Sequence, residues 1–453
     1  MDRVALIGLD GVPPALLFGP WRADLPVIDE LCRTGAHGIL WSCLPPITVP
    51  AWSCMLSSQD PGQLGIYGFR NRADHGYTGL RMATSRDIRA PRVWDLIGRA
   101  GGRSVVIGVP GTYPPPPIDG LVVSDFLAPG RDAAFTHPSP ARTRVLDLAP
   151  DYRFDVTDFR HRALPSLVAD VTAMTRERFR LARALAAEPW DFFALHEIGT
   201  DRLHHRLWPP SFTESNEITS LLLGYYKVLD YELGLLLSVL PPDTAVIIAS
   251  DHGARRMRGG VRVNQWLVDQ GYLRLLPGTP AGTVTPDAID WDQTVAWGEG
   301  GYYARLCLNI KGREPFGTVP ESAVPALLDE LRDGLSEIRD SDGERLQTTA
   351  RTPAEVYRAQ HGVPPDLLVL FDDLACRSIG TLAEGGVFTT DNDLGTDIAN
   401  HSMDGVVVIH GGNAQVPPNG ADIYDIAPTI LDLLGVPIPP SMVGRSLIER
   451  RSS

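Results

Sequence analysis

Ala245-Val246-Ile247-Ile248-Ala249-Ser250-Asp251-His252-Gly253 is an apolar run that stops abruptly at an acid, an imidazole and a glycine. A run this short, β-branched and bounded by turn residues reads as a strand buried on both faces. Open α/β sheets place their chemistry just beyond the carboxyl ends of such strands. Asp251 and His252 are therefore candidate functional residues, and the rest of the chain is read outward from them.

Other apolar runs repeat the pattern at Val4–Leu9, Ser104–Val109, Leu121–Ser124, Phe192–His196, Leu367–Phe371 and Val406–His410. Helical periodicity lies between them, at Ser166–Ala187, Glu217–Leu240, Ala323–Leu335 and Tyr424–Leu434. Strands alternating with helices predict a mainly parallel central sheet with helices on both faces. Two stretches break the rhythm. Pro110–Pro165 is rich in Pro and Gly and is expected as a long excursion over the active face. Leu276–Arg358 has its own mixed pattern. The expected organisation is an α/β core in two parts, 1–275 and 359–453, with an inserted cap or lid at 276–358.

Composition narrows the class. At 453 residues, 43% hydrophobic and 21% charged, the chain is of ordinary globular character. A net charge of −14 argues against a nucleic-acid polymer as partner, since such binders neutralise phosphates with cationic side chains. The five cysteines (Cys32, Cys43, Cys54, Cys307 and Cys376) include no C-x-x-C pair, so neither a disulfide framework nor a thiolate zinc site is expected. There is no apolar stretch of membrane-spanning length and no secretory leader at the N-terminus, which makes a cytoplasmic setting the expectation.

Further ligand-type residues sit at comparable places. Asp10 follows the first strand and precedes Gly11. Asp201 and His205 have the spacing that puts two side chains on one helix face. His401 precedes the last strong strand. Taken singly, each has an ordinary reading: a turn or cap aspartate, a structural histidine, an exposed helix pair. As a set, three carboxylates and three imidazoles are the ligand stock for two divalent cations, zinc first and manganese second. Two such ions roughly 3.5–4 Å apart clamp the attacking and leaving oxygens of an in-line phosphoryl displacement.

Thr48 lies in Pro45-Pro46-Ile47-Thr48-Val49-Pro50-Ala51-Trp52. Pro50 suits the first position of a helix running through Ala51–Ser57. That places Thr48 at a helix N-terminus, either as a simple cap or as a hydroxyl nucleophile where a phosphate is favoured. His204 could exchange roles with His205, and His196 could support the site from behind. His37, His361 and His410 read as structural. Trp52, Trp208, Tyr302 and Tyr303 read as core, with stacking on a base or sugar as the alternative.

The segments Ile7-Gly8-Leu9-Asp10-Gly11, Thr48-Val49-Pro50-Ala51-Trp52, Asp201-x3-His205, Ser250-Asp251-His252-Gly253 and His401 stand in the order of the alkaline phosphatase superfamily. They most resemble its type I phosphodiesterase/nucleotide pyrophosphatase branch. Asp422–Thr429 and Val263–Leu267 resemble further segments of such chains.

The resemblance implies an alkaline-phosphatase-like three-layer sandwich and a phosphoric ester hydrolase. It implies one zinc on Asp201, His205 and His401, and a second on Asp10, Asp251 and His252 with Thr48 as nucleophile. A phosphothreonine intermediate and a small phosphate-ester substrate, such as a nucleotide, follow from it. Diesterases of the branch carry an Asn in the loop corresponding to Leu64–Phe69. Here Phe69 stands there, and Asn71 is the substrate-binding candidate. Sulfatases differ by a C-x-P-x-R or S-x-P-x-R motif that Thr48 lacks. Phosphoglycerate mutases differ by a transferase domain for which Asp201 comes too soon. A phosphomonoesterase using Arg70, Arg72 or Arg255 as a clamp, and a phosphoryl or phosphonate transferase or hydrolase, are the alternatives.

Overall fold

A computed structural model describes residues 3–383, 385–393 and 395–449. The chain folds as two units: 1–69, 83–254 and 402–453 form the first, and 70–82 with 255–401 the second.

The first unit is built on a nine-stranded sheet. From edge to edge its strands are Ala421–Asp422, Ala36–Trp41, Asp404–His410, Thr244–Ala249, Arg3–Leu9, Phe192–Glu197, Ser104–Ile107, Gly120–Val123 and Thr136–His137. The five strands from Thr244–Ala249 to Gly120–Val123 are mutually parallel. Side chains alternate between the faces, as a strand's period of two requires. Ala5, Ile7 and Leu9 enter one hydrophobic layer, with the helices Leu164–Ala186 and Glu217–Leu237. Val4 and Leu6 enter the other, with Thr48–Ser57 and Ile426–Leu433. The result is the expected α/β architecture, a mostly parallel sheet with helices on both sides.

Register places the chemistry. Leu9 pairs with Glu197, and Gly8 with Ala249, so these three strands end together. Asp10, Asp251 and the short helix Gly199–His204 follow directly from those ends. The strand Asp404–His410 runs antiparallel to Thr244–Ala249, so it is the start of this strand that lies at the same edge. A Cβ on Gly253 would touch Ser402 Oγ and the Asp404 carbonyl. His401 precedes Ser402 in the chain and closes the second unit.

The Pro110–Pro165 stretch is more ordered than its composition suggests. It contributes two strands and the helix Ala141–Leu148, and it belongs to the first unit.

The second unit has a four-stranded antiparallel sheet, in the order Ala296–Glu299, Ala304–Leu308, Leu367–Leu370, Thr349–Arg351, and a three-stranded sheet in which Cys376–Ile379 and Phe388–Thr389 flank Gly259–Arg262. Helix Val324–Ser336 packs Leu331 and Leu335 into its core. Its bounds are wider than the expected 276–358 insertion. Long-range pairing of Gly259–Arg262 with Cys376–Ile379, and of Ala304–Leu308 with Leu367–Leu370, draws both flanks in. The hairpin Arg70–Arg72/Leu80–Met82 also belongs here. Tyr77 from its loop stacks on Trp291 at 3.6 Å and donates to Asn309 Oδ1 at 2.7 Å.

Candidate active site

Asp10, Asp251 and His252 converge at the ends of the central strands. Each offers a ligand atom, all within 4.8 Å of one another, and all three side chains are fully buried. His252 Nδ1 lies 2.8 Å from the Gly253 carbonyl. A carbonyl only accepts, so Nδ1 carries the hydrogen, and in the neutral ring Nε2 presents its lone pair. That Nε2 is 3.5 Å from Asp10 Oδ1 and 3.3 Å from Asp251 Oδ2. Neither carboxylate oxygen has a hydrogen-bond partner among the described residues. Three buried acceptor atoms facing one another are unfavourable unless a cation or a proton lies between them. The donor set of two carboxylates and one imidazole therefore fits a divalent ion such as zinc or manganese.

The remaining oxygen of each carboxylate is held by the protein. Asp10 Oδ2 takes hydrogen bonds from His196 Nε2 at 2.7 Å and Trp52 Nε1 at 3.2 Å. Asp251 Oδ1 accepts from the Gly11 N–H at 3.3 Å. Backbone anchors complete the frame. Thr200 Oγ1 donates to the Asp10 carbonyl, Ser42 Oγ to the Asp251 carbonyl, and Ser250 Oγ to the His252 carbonyl.

Burial, then the nearby Asp201 carboxylate, raises Asp10 from 3.8 to about 7, against the opposing pull of His252, Arg202 and the Trp52 hydrogen bond. Asp251 is pushed well above the ordinary carboxylate range by burial and then by Asp10.

Asp201 and His205 lie on one turn, as their spacing predicts. The His205 N–H reaches the Asp201 carbonyl at 3.1 Å, and His205 Nε2 is 3.3 Å from Asp201 Oδ1. Gly11, at φ +66°, fits beside both groups of candidate ligands: a Cβ there would lie 3.3 Å from Asp201 Oδ1 and from His252 Cε1. His204 does not share this role. Its Nδ1 donates to the Gly11 carbonyl at 2.9 Å and its Nε2 accepts from Tyr226 at 3.0 Å. Both nitrogens are committed, and burial lowers its pKa to about 4. Within the second unit, His401 stacks on Tyr302 with ring centroids 3.9 Å apart, and its N–H donates to Asn400 Oδ1.

The helix carrying Thr48 spans Thr48–Ser57, two residues longer at its start than the sequence suggested. Thr48 is its first residue and Ile47 its cap, so Thr48 is not the capping residue. Pro50 is tolerated in third place because N–H groups in the first turn have no intrahelical partner. Every residue of the helix is buried. Trp52 fixes it in place: its ring fills the space above Gly8, and its indole holds Asp10. Thr48 lies one turn before Trp52 on the same helix face, and is 2% exposed.

Asn71 belongs to the second unit, on the hairpin strand opposite Arg81. Of the three arginines considered as a clamp, Arg72 pairs with Glu314 and lies over Trp297, and Arg255 pairs with Asp373. Arg70 is exposed. Two contributors have roles the sequence did not assign them: Trp52, read there as core or as a stacking surface for a base or sugar, and Arg202, whose only signal was its place beside Asp201.

The sequence profile of the type I phosphodiesterase / nucleotide pyrophosphatase family matches residues 4–404. The chain belongs to this family. The fold is similar to that of murine ectonucleotide pyrophosphatase/phosphodiesterase 5, with TM-score 0.58 and 14% identity over 97% of this chain and 96% of that one. It is also similar to phosphonoacetate hydrolase from Sinorhizobium meliloti 1021, with TM-score 0.61 and 16% identity over 96% and 95%. Among curated proteins, the 2,3-bisphosphoglycerate-independent phosphoglycerate mutase of Microcystis aeruginosa is 34% identical over 79 residues, which are 15% of this chain and 15% of the mutase. That of Paracoccus denitrificans is 28% identical over 146 residues, 30% and 29% of the two chains. The family member thus aligns with under a third of either mutase. Among its described residues no helix is long and apolar enough to cross a membrane.

Proposed function

We propose that this family member is a metal-dependent phosphodiesterase that cleaves a small phosphate diester or pyrophosphate, such as a nucleotide, through a phosphothreonine on Thr48. The observation that carries the reading is the convergence of Asp10, Asp251 and His252, with Trp52 of the Thr48 helix hydrogen-bonded to the first of them. In this reading Asp10, Asp251 and His252 hold one divalent cation, zinc by preference, and Asp201, His205 and His401 hold a second. The cations, when bound, stabilise phosphoryl oxygens as Lewis acids and ease deprotonation of hydroxyl groups.

The side chains do the rest. Thr48 Oγ1 gives up its proton to solvent and forms a bond to phosphorus as the bond from phosphorus to the leaving group breaks; from a diester that group is an alkoxide that takes a proton from solvent, and from a pyrophosphate it is a phosphate. Water then releases the phosphoryl group from Thr48 and restores the hydroxyl. His196 and Trp52 keep Asp10 in place throughout, and Gly11 keeps Asp251. In this reading substrate selection falls to the second unit, which contains the 276–358 stretch expected from the sequence to be a cap, with Asn71 as a contact to phosphate. The five buried, unbridged cysteines support a reducing, cytoplasmic setting.

Hydrolysis of a phosphonate is the second reading. It is favoured by a fold likeness to phosphonoacetate hydrolase as great as that to the pyrophosphatase. Metal analysis paired with a panel of bis(p-nitrophenyl) phosphate, p-nitrophenyl phosphate, a dinucleotide and phosphonoacetate tests the proposal. The diesters should turn over fastest, because of the three candidate clamps for a monoester's additional charge Arg72 and Arg255 are already paired with Glu314 and Asp373 and Arg70 is exposed to solvent. Preference for phosphonoacetate would select the second reading. A metal-free, inactive protein would overturn both.

A further inference from the structure

Arg202 is joined to Asp201 by more than sequence. Its Nη1 donates to Asp201 Oδ2 at 2.6 Å, while Asp201 Oδ1 faces His205. The rest of the guanidinium is locked from the other side. Nε lies 2.9 and 3.1 Å from the two oxygens of Asp155, and Nη2 lies 2.7 Å from Asp155 Oδ2. This is the two-pronged arrangement that only a planar guanidinium makes. Phe159 and Phe126 flank it, with ring centroids 4.8 and 5.5 Å from Cζ. The Arg202 side chain is only 11% exposed and that of Asp201 5%, so this is not a solvent-screened surface pair.

All three members of this socket, Phe126, Asp155 and Phe159, come from the Pro110–Pro165 stretch. That stretch lies in the first unit with Asp201 and has no assigned role. Asp10 and Asp201 are also treated differently. Neutral donors, His196 and Trp52, occupy the outer oxygen of Asp10, whereas a cation occupies that of Asp201.

We propose that Arg202 is a positioning residue: it takes up Oδ2 of Asp201 so that Oδ1 alone serves as a metal ligand, and the Pro110–Pro165 stretch exists in part to hold the guanidinium in that pose. This rests on the two-cation reading above. Partners behind metal ligands fix ligand orientation, and their loss weakens binding.

The test measures zinc retention by the full-length protein against a competing chelator. Wild type is compared with Arg202→Met, Arg202→Lys and Asp155→Asn. Arg202→Met should weaken one of two zinc-binding events by about 10–100-fold and leave the other unchanged. Asp155→Asn should weaken the same event, although it leaves Arg202 in the chain. Arg202→Lys, which keeps a donor but not the fork, should fall between Arg202→Met and wild type. Excess zinc should restore kcat on bis(p-nitrophenyl) phosphate in all three, with KM unchanged. Wild-type zinc affinity in both Arg202→Met and Asp155→Asn would overturn the proposal. So would a loss that excess zinc does not reverse and that appears in KM, which would make Arg202 a substrate contact. If Arg202→Met does not fold, Asp155→Asn and Arg202→Lys carry the comparison. Failure of wild type to bind two zinc ions would instead overturn the reading on which the proposal stands.

Discussion

Asp10 and His196 are joined by a 2.7 Å hydrogen bond between Oδ2 and Nε2, with both side chains wholly buried. Burial, followed by the charge on Arg178, lowers the His196 pKa to about 3, so the ring is neutral. When Asp10 is ionised its oxygens only accept, and Nε2 must carry the hydrogen. The imidazole thus fixes which Asp10 oxygen faces Asp251 and His252. His196→Phe keeps the ring volume and removes the donor. Zinc affinity in chelator competition should fall by about 10–100-fold. His196→Gln, whose amide still donates, should lose less. Equal retention in both variants would show that the bond does not orient Asp10.

Gly8 leaves room for Trp52. A Cβ at Gly8 would lie 2.2 Å from Cη2 of the indole, so Gly8→Ala must displace the ring that holds Asp10. Overpacking of this kind costs about 1–3 kcal/mol. Denaturant unfolding should show that loss. Adding Trp52→Phe should cost less in the Gly8→Ala background than in wild type, because the smaller ring relieves the clash. Additive effects would place the strain elsewhere.

Asp125 gives the first unit a pH-dependent component. Its carboxylate accepts the N–H groups of Thr112 and Leu127, yet burial raises its pKa from 3.8 to about 6. The folded state therefore holds a proton that the unfolded chain releases at lower pH. The stabilisation is fully present below the unfolded pKa and is lost as pH rises through about 6. A shift of roughly two units corresponds to about 3 kcal/mol. Asp125→Asn does not titrate, so its stability should lack the fall that wild type shows between about pH 4 and pH 6, and at low pH it should be the less stable of the two because its amide nitrogen cannot accept the second N–H. Parallel stability profiles of the two proteins would contradict the assignment.

Legibility in the sequence followed the range of the interactions. The Ala245–Gly253 run could be read because an apolar strand and its Asp-His-Gly ending are contiguous. Asp201 and His205 could be read because one helical turn relates them. The buried helix at Thr48 was legible from Pro50 and its apolar run, but its start was placed two residues late, since a proline can occupy several first-turn positions. Arg202 was not legible as a positioning group. Its partner Asp155 is 47 residues away, in a stretch whose Pro and Gly content gives no period to follow. The extent of the second unit was hidden for the same reason. Pairing of Gly259–Arg262 with Cys376–Ile379 leaves no local mark, and the apolar Leu367–Leu370 reads alike in either unit's sheet.

Trapping the covalent intermediate tests whether Thr48 is the nucleophile. Zinc-loaded enzyme is quenched in acid during turnover of bis(p-nitrophenyl) phosphate, and the digest is read by mass spectrometry. A phosphoryl ester adduct is expected on Thr48 in wild type. Thr48→Ala should show no adduct, unchanged metal content, and turnover lower by roughly three orders of magnitude or more. An adduct on another residue, or turnover by Thr48→Ala at the wild-type rate, would contradict the Thr48 assignment.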